Sequence, residues 1–118
     1  MTPRVARWAK TWESRDLGAI MALYAPDATH ASALVSTVWP ELGRTTLVGT
    51  TELREYFRRG LDRFTWLRFD IQSLIETGER SAVEYLRHSN LDTAHPRHVL
   101  EMLEWNGDLL RAVRVFHA

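Results

Sequence analysis

The chain has no cysteine among its 118 residues. That excludes a disulfide framework, a thiolate metal site and a thiol nucleophile. Lysine is almost missing too: Lys10 stands alone against fourteen arginines. Neither sign of charge prevails, because 15 basic residues face 15 acidic ones. This removes any broad electrostatic drive toward nucleic acid or an anionic membrane. No apolar run approaches the roughly 18 residues of a membrane helix. The segment Met1 to Lys10 lacks the apolar stretch of a signal peptide, so a cytoplasmic location is expected. No Gly-rich phosphate loop and no nucleophile elbow occurs. Linkers, repeats and low-complexity stretches are also missing, so residues 1–118 read as one domain.

What is present is a hydrophobic fraction of 45%, enough to exclude a disordered chain, and five tryptophans. Val5, Trp8, Ala9 and Trp12 recur at i, i+3, i+4, i+7 and predict a first helix. Ser14 or Asp16 can cap a second, with Leu17, Ile20, Met21 and Tyr24 as its stripe and Pro26 just beyond its end. Ala28 to Val35 reads as a strand, Ser36 to Arg44 as a loop and Thr45 to Val48 as a short strand. Thr50 or Thr51 can cap a third helix, with Leu53, Tyr56, Phe57, Leu61 and Phe64 on one side.

The period then changes. Trp66 to Ile75, Ser81 to Ser89, His98 to Trp105 and Leu109 to His117 read as long strands. Glu76 to Glu79 and Asn90 to Pro96 separate the first three. Asn106-Gly107 is the strongest hairpin signal, with both residues expected at the centre of the turn. Helices first and a meander of strands afterwards predict an α+β fold, with helices on one face of an antiparallel sheet and a hollow between.

The stretch Asp16 to Thr29, DLGAIMALYAPDAT, resembles the signature of the SnoaL-like and ketosteroid-isomerase-like group within the nuclear transport factor 2-like superfamily. Gly49 to Leu61, with Glu52, Leu53, Tyr56, Phe57, Arg58 and Gly60, resembles the next helix of that group. Val99 to Phe116 is similar to its last two strands. The resemblance implies a cone, a curved antiparallel sheet wrapped around about three helices, with an internal pocket at the open end. It also implies a homodimer formed through the sheet and no cofactor. It does not fix the reaction, since the superfamily holds isomerases, dehydratases, polyketide cyclases, epoxide hydrolases and binding modules.

Aligned with the ketosteroid isomerases, the position of the base falls on Ser32, that of the oxyanion tyrosine on Trp8 and that of the protonated acid on Glu101. Serine cannot shuttle a proton near neutrality unaided, and an indole only donates. Steroid isomerisation by the family mechanism is therefore not expected. Glu101 keeps its chemistry. Between Val99 and Leu103 on an apolar strand, a buried carboxyl would have a raised pKa and suit proton transfer. The alternatives are a solvent-facing side chain or a structural pair with an arginine.

The family register turns Tyr85 and Arg87 toward the hollow. Arg87 either pairs with Glu101 or binds an anionic substrate group. Epoxide hydrolases of the superfamily set an arginine between two carboxylates, but Ser89 stands where one of these would be. Tyr85 is an assisting hydroxyl or a plain core aromatic. His30 shares a strand face with Ser32 and either replaces it as base or is a structural histidine. Glu101, His30, Arg87 and Tyr85 are thus the candidate catalytic residues. Trp8, Trp12, Ser32, Tyr56, Val99, Arg114 and Phe116 are the candidate ligand contacts. Arg114 is also open to a role as second partner for Glu101 or as an interface charge.

His95-Pro96-Arg97-His98 is too short of ligands for a zinc site, so no metal is expected. Glu55–Arg59 and Arg58–Asp62 fall at i, i+4, so the arginines of this helix read as a salt-bridged face. The expected partner is a small, largely apolar cyclic or polyketide-like molecule, turned over without a cofactor. The alternative is a non-catalytic binding or dimerisation module using the same pocket.

Overall fold

A computed structural model describes residues 1–118. Helix α1, Pro3–Ser14, starts with Pro at its first position, where a missing N–H costs nothing. It buries Val5, Trp8 and Ala9, three members of the anticipated stripe. Helix α2, Leu17–Met21, is capped by Asp16, whose carboxylate accepts from the Ala19 amide at 3.1 Å. Helix α3, Leu34–Val38, and a 3₁₀ turn, Pro40–Leu42, occupy most of the segment anticipated as a loop. Helix α4, Gly49–Leu61, buries Leu53, Tyr56 and Phe57. Phe64 falls beyond its end.

The strands are β1 Tyr24–Ser32, β2 Thr46–Val48, β3 Leu67–Glu76, β4 Arg80–Ser89, β5 Arg97–Asn106 and β6 Leu109–His117. They form one sheet in the order β2-β1-β6-β5-β4-β3. Every neighbouring pair is antiparallel except β1 and β6, which run parallel. The sheet is therefore mixed, where an antiparallel one was anticipated. It curves without closing around the helices, the expected α+β cone.

The first strand starts earlier than its sequence suggests. The helical stripe predicts Tyr24 as its last residue, yet Tyr24 opens β1. Pro26 lies inside this strand, in the stretch between Tyr24 and Thr29 where pairing with β6 shifts. An irregularity of that kind tolerates a residue with no N–H to give. Next to it, Gly49 has φ 84°, and a Cβ there would stand 3.8 Å from the Pro26 carbonyl. Its left-handed backbone turns the chain from β2 into α4. Glu52 takes over the anticipated cap from Thr50 or Thr51. Its carboxylate accepts from the Val48 amide at 2.8 Å and from both Arg44 amino groups.

The final turn is also displaced by one residue. Asn106 pairs with Leu109, so Gly107 and Asp108 form the two-residue loop. Gly107 has φ 61° and Asn106 stays in the strand, which matches the hairpin turn with glycine at its first central position. A register shift at Glu104/Trp105 follows. It sets Val113, Val115 and His117 on the row facing Leu103, Glu101 and Val99.

The core joins α1, α2 and α4 to the concave face of the sheet. Its largest fully buried side chains are Trp8, Trp105 and Phe57. Trp66 precedes β3 and is 49% exposed. The Trp105 indole donates to the buried Ser81 hydroxyl at 3.0 Å, and Ser81 donates to Glu76 at 3.0 Å. Truncating Ser81 leaves an indole N–H buried and unpaired. Ser81→Ala is therefore expected to cost about 1–3 kcal/mol, measured by urea unfolding. An unchanged midpoint would show that the Trp105 anchor does not depend on this bond.

Candidate functional site

Strand alternation brings Ser32, Val115, Glu101 and Val83 into one transverse row, from β1 across β6 and β5 to β4. Val99 faces Tyr85 in the next row, with Ile71 beyond it on β3. The concave face of these rows meets α1, α4 and α3. Between them lies a cavity of about 120 Å³, lined among others by Trp12, His30, Ser32, Tyr56, Phe69, Tyr85 and Glu101. By the measure of roughly 10–15 Å³ per water, it has room for several waters or a small ring.

Glu101 is the chemical centre of this space. It is 7% exposed, and the Tyr85 hydroxyl donates a hydrogen bond to its carboxylate. No ion pair reaches it. Burial pushes its pKa up from about 4.5 to about 7, against the pull of the Tyr85 bond. Tyr85 is itself fixed from behind. Phe69 stacks on it with ring centroids 4.3 Å apart, and Trp8 meets it edge-on at 5.8 Å. Burial and the nearby Glu101 charge raise the Tyr85 pKa well above its ordinary value, so it is a permanent donor.

His30 also lines the cavity, 4% exposed, with Nδ1 lacking any hydrogen-bond partner. The rings of Phe57, Tyr56 and Tyr24 surround it at 5.2, 5.8 and 6.5 Å. Burial lowers its pKa to about 4, which keeps the imidazole neutral near pH 7. Burial raises the Tyr56 phenol to about 12.

Arg87 lines the cavity but is not joined to Glu101. Its guanidinium makes two hydrogen bonds of 2.9 Å to Asp92 and lies 5.0 Å from the Phe64 ring centroid. The Ser89 hydroxyl donates to the same Asp92 carboxylate at 2.6 Å. Burial opposes the ionisation of Asp92, but the bonds from Arg87 and Ser89 outweigh it and lower its pKa. Asp92 was not singled out in the sequence because it sits in a polar loop, where strand alternation says nothing about direction. Ser89 takes the strand position, and the carboxylate arrives three residues later. His117 and Phe69, further lining residues, were also overlooked. His117 shares the alternation of Val113 and Val115, which could have revealed it.

Several anticipated contacts fall elsewhere. Trp8 is fully buried behind Tyr85 and Phe69, and the cavity wall does not include it. Val99 is likewise core, next to the wall rather than on it. Arg114 and Phe116 lie on the convex face: Arg114 pairs with Met102 and Phe116 with Leu100, and both side chains are exposed. Uninterrupted alternation on β6 would turn both inward with Leu110, but the shift at Glu104/Trp105 resets which residues face the core. Trp12, Ser32 and Tyr56 do line the cavity. On α4, Arg58 and Arg59 pair with Glu55, and Arg58 with Asp62, forming the anticipated salt-bridged face.

A curved, unclosed sheet of this topology wrapped around a few helices is the nuclear transport factor 2-like cone. Residues 5–115 match the SnoaL-like domain, and the chain belongs to that family. A SnoaL-like protein of unknown function from Burkholderia thailandensis superposes with a TM-score of 0.78 at 22% identity, over 97% of this chain and 91% of its own. A candidate polyketide cyclase from Sinorhizobium meliloti gives 0.76 at 9% identity, over 98% and 95%. A Catenulispora acidiphila protein with a ketosteroid isomerase-like fold, crystallised with trimethylamine, gives 0.76 at 17% identity, over 100% and 88%. No curated protein sequence matches significantly. No helix is long and apolar enough to cross a membrane.

The raised pKa of Glu101 links stability to pH. Between about pH 4.5 and 7 the folded chain keeps a proton that the unfolded chain has lost, so this group's contribution falls as pH rises. His30 acts in the opposite sense between about 4 and 6.5, because the unfolded chain there binds the extra proton. The two slopes offset each other in wild type. Glu101→Gln removes one of them. Its stability relative to wild type is expected to rise by about 3 kcal/mol from pH 4.5 to 7.5, at roughly 1.4 kcal/mol per pKa unit. Urea midpoints across this range check it; parallel profiles would contradict a raised pKa.

Proposed function

We propose that this chain is a cofactor-free acid–base enzyme acting on a small, largely apolar cyclic or polyketide-like molecule. The observation that carries this reading is a carboxyl buried in a cavity, held by one tyrosine hydroxyl and free of any arginine. Such a group exists in both protonation states near neutral pH, so it can take a proton from one atom of a substrate and return it to another. Tyr85 orients it. The aromatic walls, Tyr56, Phe57 and Phe69, favour a flat apolar frame. This supports isomerisation or cyclisation through proton transfer over epoxide opening. Epoxide opening would need Arg87 between two carboxylates, whereas Arg87 is committed to Asp92.

The test begins with native mass spectrometry of the purified protein, to find a retained small molecule. Turnover of that molecule, or of a ring ketone chosen from it, is then compared in wild type and Glu101→Gln. The variant is expected to lose at least about 10²-fold in kcat, the usual scale for removing a general acid–base group. Tyr85→Phe should shift the pH optimum as well as slow the reaction. Ligand retention with equal rates in wild type and Glu101→Gln would favour the alternative, a binding module that uses the cavity without chemistry.

The same reading makes the protein a homodimer through the convex face of the sheet. Leu100, Phe116 and Ile75 are 39%, 48% and 70% exposed there. Phe116→Glu should convert a dimer to a monomer in light scattering. A wild-type monomer at all concentrations would remove the dimer from this account.

A further inference from the structure

His30 has no task in a proton-transfer scheme centred on Glu101, yet it is a buried polar side chain on the cavity wall that nothing in the protein pairs. The imidazole is 4% exposed, forms part of the wall, and leaves Nδ1 without a hydrogen-bond partner. Buried polar groups are nearly always paired, and an imidazole on the wall of a ligand-sized space with no hydrogen bond from the protein calls for a ligand atom. Its neighbours Phe57, Tyr56 and Tyr24 are aromatic rings that hold the imidazole in place.

Position adds to the argument. His30 and Glu101 lie on the same concave face, separated by β6. His30 pairs with Val113, and Glu101 pairs with Val115, one row further along. With strands about 4.8 Å apart and rows about 6.6 Å apart, the two backbones stand about 12 Å from each other. Both side chains project into the space between, so one small ring system can reach both at once.

Resting on the acid–base reading above, we propose that His30 is the second polar anchor of the cavity and sets its specificity. The ligand carries two oxygen substituents on a flat ring frame, one held by Glu101 and Tyr85 and the other by the imidazole of His30. A neutral imidazole offers one N–H and one lone pair, so the second substituent is either a carbonyl or a hydroxyl. A ring with a single oxygen leaves His30 unpaired and binds more weakly. Discrimination of this kind, by a site built to satisfy a polar group, exceeds what apolar contacts achieve.

The test uses three probes of one ring, phenol, resorcinol and hydroquinone, titrated into the intact protein and followed by two-dimensional NMR. At least one of the two diols should bind wild type about tenfold more tightly than phenol. In His30→Phe the diol should fall to the level of phenol, while phenol itself changes less than about twofold. His30→Gln, which keeps a donor and an acceptor, should restore part of the preference and guards against a variant that fails to fold. Equal affinity of phenol and both diols for wild type would overturn the inference and leave the acid–base reading intact. So would a diol preference that survives His30→Phe. No perturbation of cavity resonances by any probe would contradict both.

Discussion

The structure depends on one buried carboxyl. Placing Glu101 inside an apolar cone costs desolvation energy, and the single Tyr85 hydroxyl offsets only part of it. A chain optimised for stability alone would use a leucine at this point, as it does two residues later at Leu103. The aromatic stack of Trp8, Phe69 and Tyr85 exists around that cost: it keeps the hydroxyl aimed at the carboxylate. Carboxyls perturbed by burial in this way cluster at functional sites.

Charge placement follows the same logic. Arg87 is near enough to share the cavity, and an ion pair with Glu101 would fix the carboxyl in its ionised form. Asp92, itself held by the Ser89 hydroxyl, instead binds the guanidinium at the rim, against Phe64. The interior thus keeps one titratable acid and two imidazoles, His30 and His117, that burial holds neutral. Cation and anion cancel at the edge. Zero net charge over the whole chain is echoed here on the scale of the site.

Much of this was legible in the residue order. The stripes Val5–Trp8–Ala9 and Leu53–Tyr56–Phe57 read correctly as buried helix faces because their period is long enough to be unambiguous. Alternation alone leaves open which face of the strands points inward; the resemblance to the family supplies the register that turns Glu101, Tyr85 and Ser32 toward the hollow. Errors gathered where alternation breaks. A shift at Glu104/Trp105 turned Arg114 and Phe116 outward, and Pro26 hid a strand that starts at Tyr24. The helix Leu34–Val38 is little more than one turn, with Val35, Thr37 and Val38 β-branched, and is too short to display a period. Asp92 was out of reach for another reason: loop side chains acquire direction only from tertiary contacts. Trp8, aligned with a catalytic tyrosine in the isomerases, proves to support the site from behind rather than line it.

The central claim is that Glu101 carries its proton near neutrality while buried and unpaired with any cation. The most direct measurement is a carbon-13 NMR titration of the side-chain carboxyls in glutamate-labelled protein, with Glu101 assigned from the Glu101→Gln spectrum. The account predicts one carboxyl titrating at about 7, absent from that variant, and moved by Tyr85→Phe to a still higher value. A Glu101 carboxyl titrating at or below the ordinary value of 4.5 would contradict it.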